Sequence, residues 1–143
     1  MWLIDGTDLI LGRMASRVAK RLLDGEEVTI VNADKTVISG RKKSTLSEYD
    51  AWTKIRGLVD PAQGPFHPRK PEDLVRQSVR GMLPMKKAKG REAFGRLKAY
   101  SGIPGELEGE EFESISKAHL DQLGSRRFIR IGELSKHLGM ENR

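Results

Sequence analysis

A stretch of twelve residues near the middle of the chain, residues 80–91, contains five cations and no carboxylate: Arg80, Lys86, Lys87, Lys89 and Arg91. Lysine and arginine at this density neutralise phosphates, and the counterions that they displace supply much of the affinity of a protein for RNA. The three lysines cannot share one helix face, so an isolated helix would present only a solvated basic surface unless RNA contacted several of its sides. The stretch predicts a phosphate-binding surface.

A proline-rich turn at residues 64–71 precedes this stretch and carries an aromatic ring, an imidazole and two cations, at Phe66, His67, Arg69 and Lys70. Its prolines exclude a regular helix or a central strand. His67 could stack on a base or donate a hydrogen bond to a phosphate, or it could be an ordinary hydrogen-bonded loop histidine. Further cations that we include as RNA-binding candidates are Arg41, Lys42, Lys43 and Arg76.

The distribution of charge supports a polyanionic partner. The 143 residues have a formal net charge of +6, but residues 41–100 contain 15 basic and 6 acidic side chains. Residues 1–40 and 101–143 have net charges of −1 and −2. The alternative, a generally basic surface that keeps the protein soluble, does not explain this concentration in the middle of the chain.

The sequence shows no set of residues with the types and spacing of an enzyme active site. Gly6 and Gly12 lie between the first predicted strand and helix but lack the spacing of a dinucleotide-binding loop, and no P-loop lysine follows them. Asp34 could mimic a ribose-binding acid; the simpler interpretation is that Gly12 lets the helix begin close to the sheet. We predict no catalytic residue, no cofactor and no small-molecule substrate.

Metal sites and membrane association are not predicted either. The chain has no cysteine, and its three histidines, at positions 67, 119 and 137, lack the spacing of metal ligands. The apolar start Met1–Ile4 meets Asp5 at once, unlike a signal peptide, and no apolar run is long enough to span a bilayer. We expect a soluble intracellular protein.

The local patterns predict one α/β domain over residues 1–143. A buried strand at Trp2–Ile4, an amphipathic helix from Gly12 to Leu23 and a β-branched strand at Val28–Val31 predict a βαβ unit with parallel strands. Further predicted elements are a strand at 36–38, a helix at 45–54 that opens with a Thr45/Glu48 capping box, a loop at 56–70, helices at 71–83 and 86–97, a strand at 99–100, a strand at 127–131 and a helix at 133–138.

Several motifs of this sequence resemble the family of universal large-subunit ribosomal protein thirteen in its archaeal/eukaryotic form. They are Leu11-Gly12-Arg13-Met14-Ala15-Ser16, Ile38-Ser39-Gly40, Gly64-Pro65-Phe66-His67, Val79-Arg80-Gly81-Met82-Leu83-Pro84, Leu97-Lys98-Ala99-Tyr100-Ser101-Gly102-Ile103-Pro104 and Gly132-Glu133-Leu134-Ser135-Lys136-His137-Leu138-Gly139.

This resemblance implies a three-layer α/β/α domain around a mainly parallel four-stranded sheet, with basic loop and helix extensions. It also implies a structural, non-catalytic role in the large ribosomal subunit, binding to its rRNA beside neighbouring large-subunit proteins, and help in assembling the subunit. Matching positions place His67, Arg69, Arg80, Lys86, Lys87, Lys89 and Arg91 on the RNA, together with Arg13 and Arg17. A free RNA-binding regulator and a nucleotide-dependent enzyme remain alternatives.

Overall fold

A computed structural model describes residues 1–54, 68–124 and 127–139. These residues form a mixed α/β domain. Its strands are β1 (Trp2–Asp5), β2 (Val28–Val31), β3 (Val37–Ser39), β4 (Leu97–Ala99) and β5 (Phe128–Arg130), and its α-helices are α1 (Leu11–Leu23), α2 (Lys42–Thr53), α3 (Pro71–Arg80), α4 (Ala88–Gly95) and α5 (Ile131–His137). None of the helices in these ranges is long and apolar enough to cross a bilayer.

The predicted βαβ unit is confirmed. Strands β1 and β2 are parallel, in a register that pairs Trp2 with Val28 and Asp5 with Val31. Helix α1 connects them and buries Met14, Val18 and Leu22. Leu97–Ala99 pairs in parallel with the other edge of β2, so β2 is central and buried along its whole length.

The four-stranded parallel sheet is not found among the described residues. The parallel sheet has three strands in the order β1-β2-β4, and β3 pairs with β5 in a separate antiparallel pair. The chain leaves β2 through Asn32, whose left-handed backbone (φ 55°) leads into a 3₁₀ turn and directs β3 away from the sheet. At the outer edge of β1, Glu113 makes two backbone hydrogen bonds. Its N–H donates to the Leu3 carbonyl oxygen (2.9 Å), and its carbonyl oxygen accepts from the Asp5 N–H (3.0 Å).

Several helix boundaries differ from the sequence prediction, among them the end of α3, at Arg80 instead of residue 83, and the start of α5, at Ile131 instead of residue 133. Helix α2 begins at Lys42, and Thr45 is buried within its first turns, so the predicted capping box at Thr45 is wrong. Helix α4 ends at Gly95, and Leu97 belongs to β4 instead of the helix. The prediction for α3 is confirmed at its start, where Pro71 occupies the first turn before Glu72 and Asp73.

The hydrophobic core lies between the parallel sheet and a layer of helices in which α1 contacts α3 and α4. Leu74, Val75 and Val79 of α3 are buried in the same cluster as Met14 and Val18 of α1. The core therefore fixes the two ends of α1 and the C-terminal end of α3, from which the basic residues project.

A polar network occupies the edge of the sheet at which the parallel strands end. The Asp5 carboxylate accepts hydrogen bonds from the Thr7 hydroxyl (2.7 Å), the Thr7 amide (3.0 Å) and the Asn32 side chain (3.0 Å). Burial acts to raise the pKa of Asp5, but these hydrogen bonds and the charge of Lys35 outweigh it, so the pKa lies below its ordinary value of 3.8.

Replacing Asp5 with asparagine is expected to destabilise the protein near pH 7 and to have a shrinking effect as the pH falls below 3.8. Because the folded-state pKa is lowered, the carboxylate stabilises the fold above its ordinary pKa, and that stabilisation is lost as the pH falls through the lowered value. Urea unfolding of the native protein and Asp5→Asn at pH values from about 7 to about 2 measures the difference. A difference that stays constant over this range would contradict the role of the charge.

Candidate nucleic-acid interface

The basic turn, defined as residues 80–91, joins the end of α3 to the start of α4. Successive backbone hydrogen bonds close it, including Leu83 N–H to Arg80 C=O (3.1 Å) and Lys87 N–H to Pro84 C=O (3.0 Å). Leu83 is buried and anchors the turn in the core. Its neighbour Met82 is 44% exposed.

Close contact between α4 and the turn fixes the positions of the cations. Gly90 faces the backbone of Pro84, and a Cβ atom at this position would overlap the Pro84 carbonyl group and lie 3.1 Å from the Met85 nitrogen. The Arg91 guanidinium donates to the carbonyl oxygens of Met85 (3.3 Å) and Lys86 (3.4 Å). Arg91 therefore braces the turn.

The cations of the basic turn are exposed and largely uncompensated. Arg80, Lys86, Lys87 and Lys89 form no ion pair with a carboxylate in the part of the chain that the structure describes. By contrast, Lys42 pairs with Glu133 at 3.1 Å. Because no carboxylate among the described residues pairs with them, the four cations can offer their charge to an external anion.

A groove of about 610 Å³ runs beside the basic turn and contains the predicted residue Arg13. We call it the Arg13 groove; it is lined by Ile10, Leu11, Gly12, Arg13, Ile38, Ser39, Ser78, Gly81 and Met82. No carboxylate of the described residues lines it, and Arg41 follows Ser39 by two residues. The fold thus brings Arg13 and, through Gly81 and Met82, the basic turn to the borders of one groove.

The remaining predicted residues lie elsewhere. Arg69 and Lys70 are exposed at the start of α3, and the Arg69 carbonyl oxygen accepts a hydrogen bond from Ser135 at 2.6 Å. Helix α3 has ten residues, a length of about 15 Å, and so separates them from Arg80 at its other end. His67 lies outside the described residues.

Arg76 packs within the domain. Its guanidinium carbon lies 4.9 Å from the centre of the Phe94 ring, and its buried Nε has no hydrogen-bond partner among the described residues. This cation–π contact holds α3 against α4, the two helices that the basic turn joins, and so stabilises the turn.

The structure also reveals basic residues that the sequence analysis did not select. Lys20 and Arg21, next to the predicted Arg17, line a second groove with Lys117, which is distant in sequence. Arg96 extends to the end of α1, where its guanidinium donates to the Leu22 carbonyl oxygen and stabilises the helix terminus. The basic polar face of α1 is visible in the sequence, whereas the proximity of Lys117 depends entirely on tertiary structure.

Comparison with known proteins reveals close similarity over nearly the whole chain. The family model described as "Ribosomal protein L13" matches residues 1–106. The large ribosomal subunit protein uL13 of Methanococcoides burtonii is 49% identical over 139 residues, which cover 97% of this chain and 98% of the relative. Proteins of the same name from Methanosarcina barkeri and Methanocaldococcus jannaschii are 47% and 46% identical, again over 97% of this chain and 98% of each relative.

Proposed function

Because the chain belongs to the ribosomal protein L13 family, we propose that it is a structural constituent of the large ribosomal subunit, which binds large-subunit rRNA and aids subunit assembly. Its place of action is then the ribosome in the cytoplasm, as part of the translation machinery. Its partners are the rRNA and neighbouring large-subunit proteins. The observation that carries this proposal is the set of exposed, uncompensated cations on the basic turn beside the Arg13 groove.

The residues divide by role in this proposal. Arg80, Lys86, Lys87 and Lys89 contact phosphates directly, since they are exposed and have no internal ion pair in the described part of the chain. Arg13 and the 41–43 segment extend the contact along the Arg13 groove, although Lys42 must release Glu133 to take part. Arg69, Lys70 and His67 form a separate contact at the other end of α3.

Arg91 and Arg76 act mainly by holding the basic turn in shape. The hydrogen bonds of Arg91 to two turn carbonyl oxygens and the stacking of Arg76 on Phe94 support this assignment. Whereas a phosphate contact contributes to affinity through displaced counterions, a bracing residue contributes by keeping the contacting lysines in place.

We propose no catalysis, cofactor or small-molecule substrate. Doubly wound enzymes bind their ligands where the parallel strands of the sheet end. In this protein the polar groups of that edge bind one another: Asp5 accepts from Asn32, and the Asp34 carboxylate accepts from the Gly102 amide at 3.2 Å. Asp34, the acid that an enzyme would need for a ribose, is therefore engaged in a structural bond.

We also propose that the whole chain, residues 1–143, is one rRNA-binding domain. We also propose the three-layer arrangement that the family resemblance implies. The packing of α1, α3 and α4 against the parallel sheet supplies two of these layers.

Binding to a large-subunit rRNA transcript should be tight, specific and strongly weakened by salt. We expect a steep linear fall of the logarithm of the binding constant with the logarithm of salt concentration, at about 0.7 to 0.9 per phosphate contact. Filter binding at several salt concentrations, beside an unrelated structured RNA of equal length, measures both slope and preference. Equal affinity for the two RNAs would contradict the proposal, and a protein that sediments mainly apart from the large subunit would favour a free regulator.

A further inference from the structure

The second basic groove lies at the end of α1 that is remote from the basic turn. It has a volume of about 380 Å³ and is lined on one side by Arg17, Lys20 and Arg21 of α1 and by Asp24 directly after the helix, and on the other by Trp2 and the segment that carries Lys117. We call it the Lys117 groove. Its described lining residues all differ from those of the Arg13 groove.

Among the described residues, cations outnumber carboxylates in the lining of the Lys117 groove by four to one, Asp24 being the one acid. Arg17, Lys20 and Lys117 make no side-chain hydrogen bond or ion pair within the described residues, and all three are exposed. Arg21 is held in place: its guanidinium carbon lies 4.2 Å from the centre of the Trp2 ring, and it pairs with Glu26 at 3.1 Å. The groove therefore combines one oriented cation with three available ones.

Helix α1 connects the two grooves through a continuous basic stripe. Arg13, Arg17 and Lys20 are spaced at i, i+4 and i+7 and share the outer face of the helix, opposite the buried Met14, Val18 and Leu22. With a rise of 1.5 Å per residue, the stripe from Arg13 to Lys20 extends for about 10 Å. A polyanion that leaves the basic turn along the Arg13 groove can thus continue along α1 to Lys117.

We propose that the Lys117 groove is a second RNA-binding surface, at which Arg17, Lys20, Arg21 and Lys117 contact the phosphate backbone of a further rRNA segment. The protein would then bind two segments of the rRNA at once, one at the basic turn and one at the opposite end of α1. The inference rests on the proposed function and adds a second surface of contact between the protein and the rRNA. The chemistry that recognises the ligand is a run of phosphates spaced to meet cations on both walls of the groove.

The variant Lys20→Gln/Lys117→Gln tests this surface, because neither side chain supports the fold through a hydrogen bond among the described residues. Two matched pairs accompany it: Lys86→Gln/Lys87→Gln in the basic turn, and Lys54→Gln/Lys136→Gln, which removes the same charge at exposed positions outside both grooves. Circular dichroism verifies that each is folded. Salt-dependent binding and hydroxyl-radical footprinting are then measured on the large-subunit rRNA transcript.

We expect Lys20→Gln/Lys117→Gln to lower the salt slope by roughly 1.4 to 1.8 and to weaken binding roughly 25- to 60-fold at ~0.1 M salt. It should lose protection of rRNA nucleotides that differ from those lost by Lys86→Gln/Lys87→Gln. Behaviour equal to that of Lys54→Gln/Lys136→Gln would overturn the second surface while leaving the proposed function intact. Unchanged RNA binding with impaired subunit incorporation would also overturn it, in favour of an acidic protein partner. A native protein without preference for the rRNA would overturn the proposed function itself.

Discussion

Replacing Lys86, Lys87 and Lys89 together with glutamate is expected to prevent incorporation into the large subunit while leaving the free domain folded. All three side chains are exposed, and none forms an ion pair in the described part of the chain, so the fold loses no contact with them. The RNA contact loses three attractive charges and gains three repulsive ones. Removing three phosphate contacts alone should weaken binding by at least about 100-fold at ~0.1 M salt and lower the salt slope by about 2 to 3.

A second triple variant separates a local effect from a general loss of charge. Either triple lysine-to-glutamate change removes six units from the formal net charge of +6. Lys54, Lys98 and Lys136 are exposed and lie outside the basic turn and both grooves, so their replacement with glutamate should reduce incorporation far less. Sucrose-gradient sedimentation of cell extracts measures incorporation, and thermal unfolding of the purified proteins verifies the fold. Normal incorporation of the first variant would contradict a phosphate-binding role for the turn.

The parts of the fold that local sequence determines are those that sequence analysis predicts correctly. Helix α1 is specified by its apolar period, the start of α3 by Pro71, and the end of α1 by Gly25, which has φ +94°. The pairing of β3 with β5 depends on the backbone at Asn32 and on a strand almost a hundred residues later. No local pattern carries that information. The mainly parallel four-stranded sheet was expected from the family resemblance, whereas the parallel sheet of the described residues has three strands.

The residues of the candidate interface likewise divide into those that the local sequence identifies and those that only the folded structure identifies. The cations of the basic turn are adjacent in sequence and can be selected by composition alone. Arg76 has the same residue type and sits on the same helix as Arg80, but its ring contact with Phe94 becomes visible only when α3 and α4 are packed. Lys117 is isolated among small and apolar neighbours in the sequence, and it becomes a candidate only because the fold places it opposite Lys20 across a groove.

Shape and charge in the basic turn depend on each other. Lysines that neighbour one another in sequence repel, and a loose segment would place them at varying distances from a phosphate backbone. Here the turn is closed by backbone hydrogen bonds and by the contact of Gly90 with Pro84. Part of the conformational entropy of the turn is therefore already lost before RNA binds. A backbone change that leaves every charge in place should therefore also weaken RNA binding.

Replacing Gly90 with alanine is expected to destabilise the protein by about 2 kcal/mol, to lower its Tm by roughly 4–8 °C and to weaken rRNA binding about tenfold. The added Cβ atom would overlap the carbonyl group of Pro84, and because the obstacle is backbone, no side-chain rotation can relieve it. Either α4 or the turn must move, which breaks the hydrogen bonds from Arg91 to Met85 and Lys86 and displaces the lysines. Differential scanning calorimetry and filter binding measure the two effects.

Gly95→Ala in the same helix provides the matched control. A Cβ atom at Gly95 meets no atom of the described residues within 4 Å, so this alanine should be neutral or stabilise the protein by up to about 1 kcal/mol through its higher helix propensity. The same propensity gain applies at Gly90, where steric overlap must exceed it for the predicted loss to be observed. If Gly90→Ala unfolds at the same temperature as Gly95→Ala and binds rRNA equally well, the contact between α4 and the Pro84 turn does not hold the cations in place. A loss of RNA affinity without a change in Tm would instead place the displacement in the turn alone, since a shift of α4 against the core must also destabilise the fold.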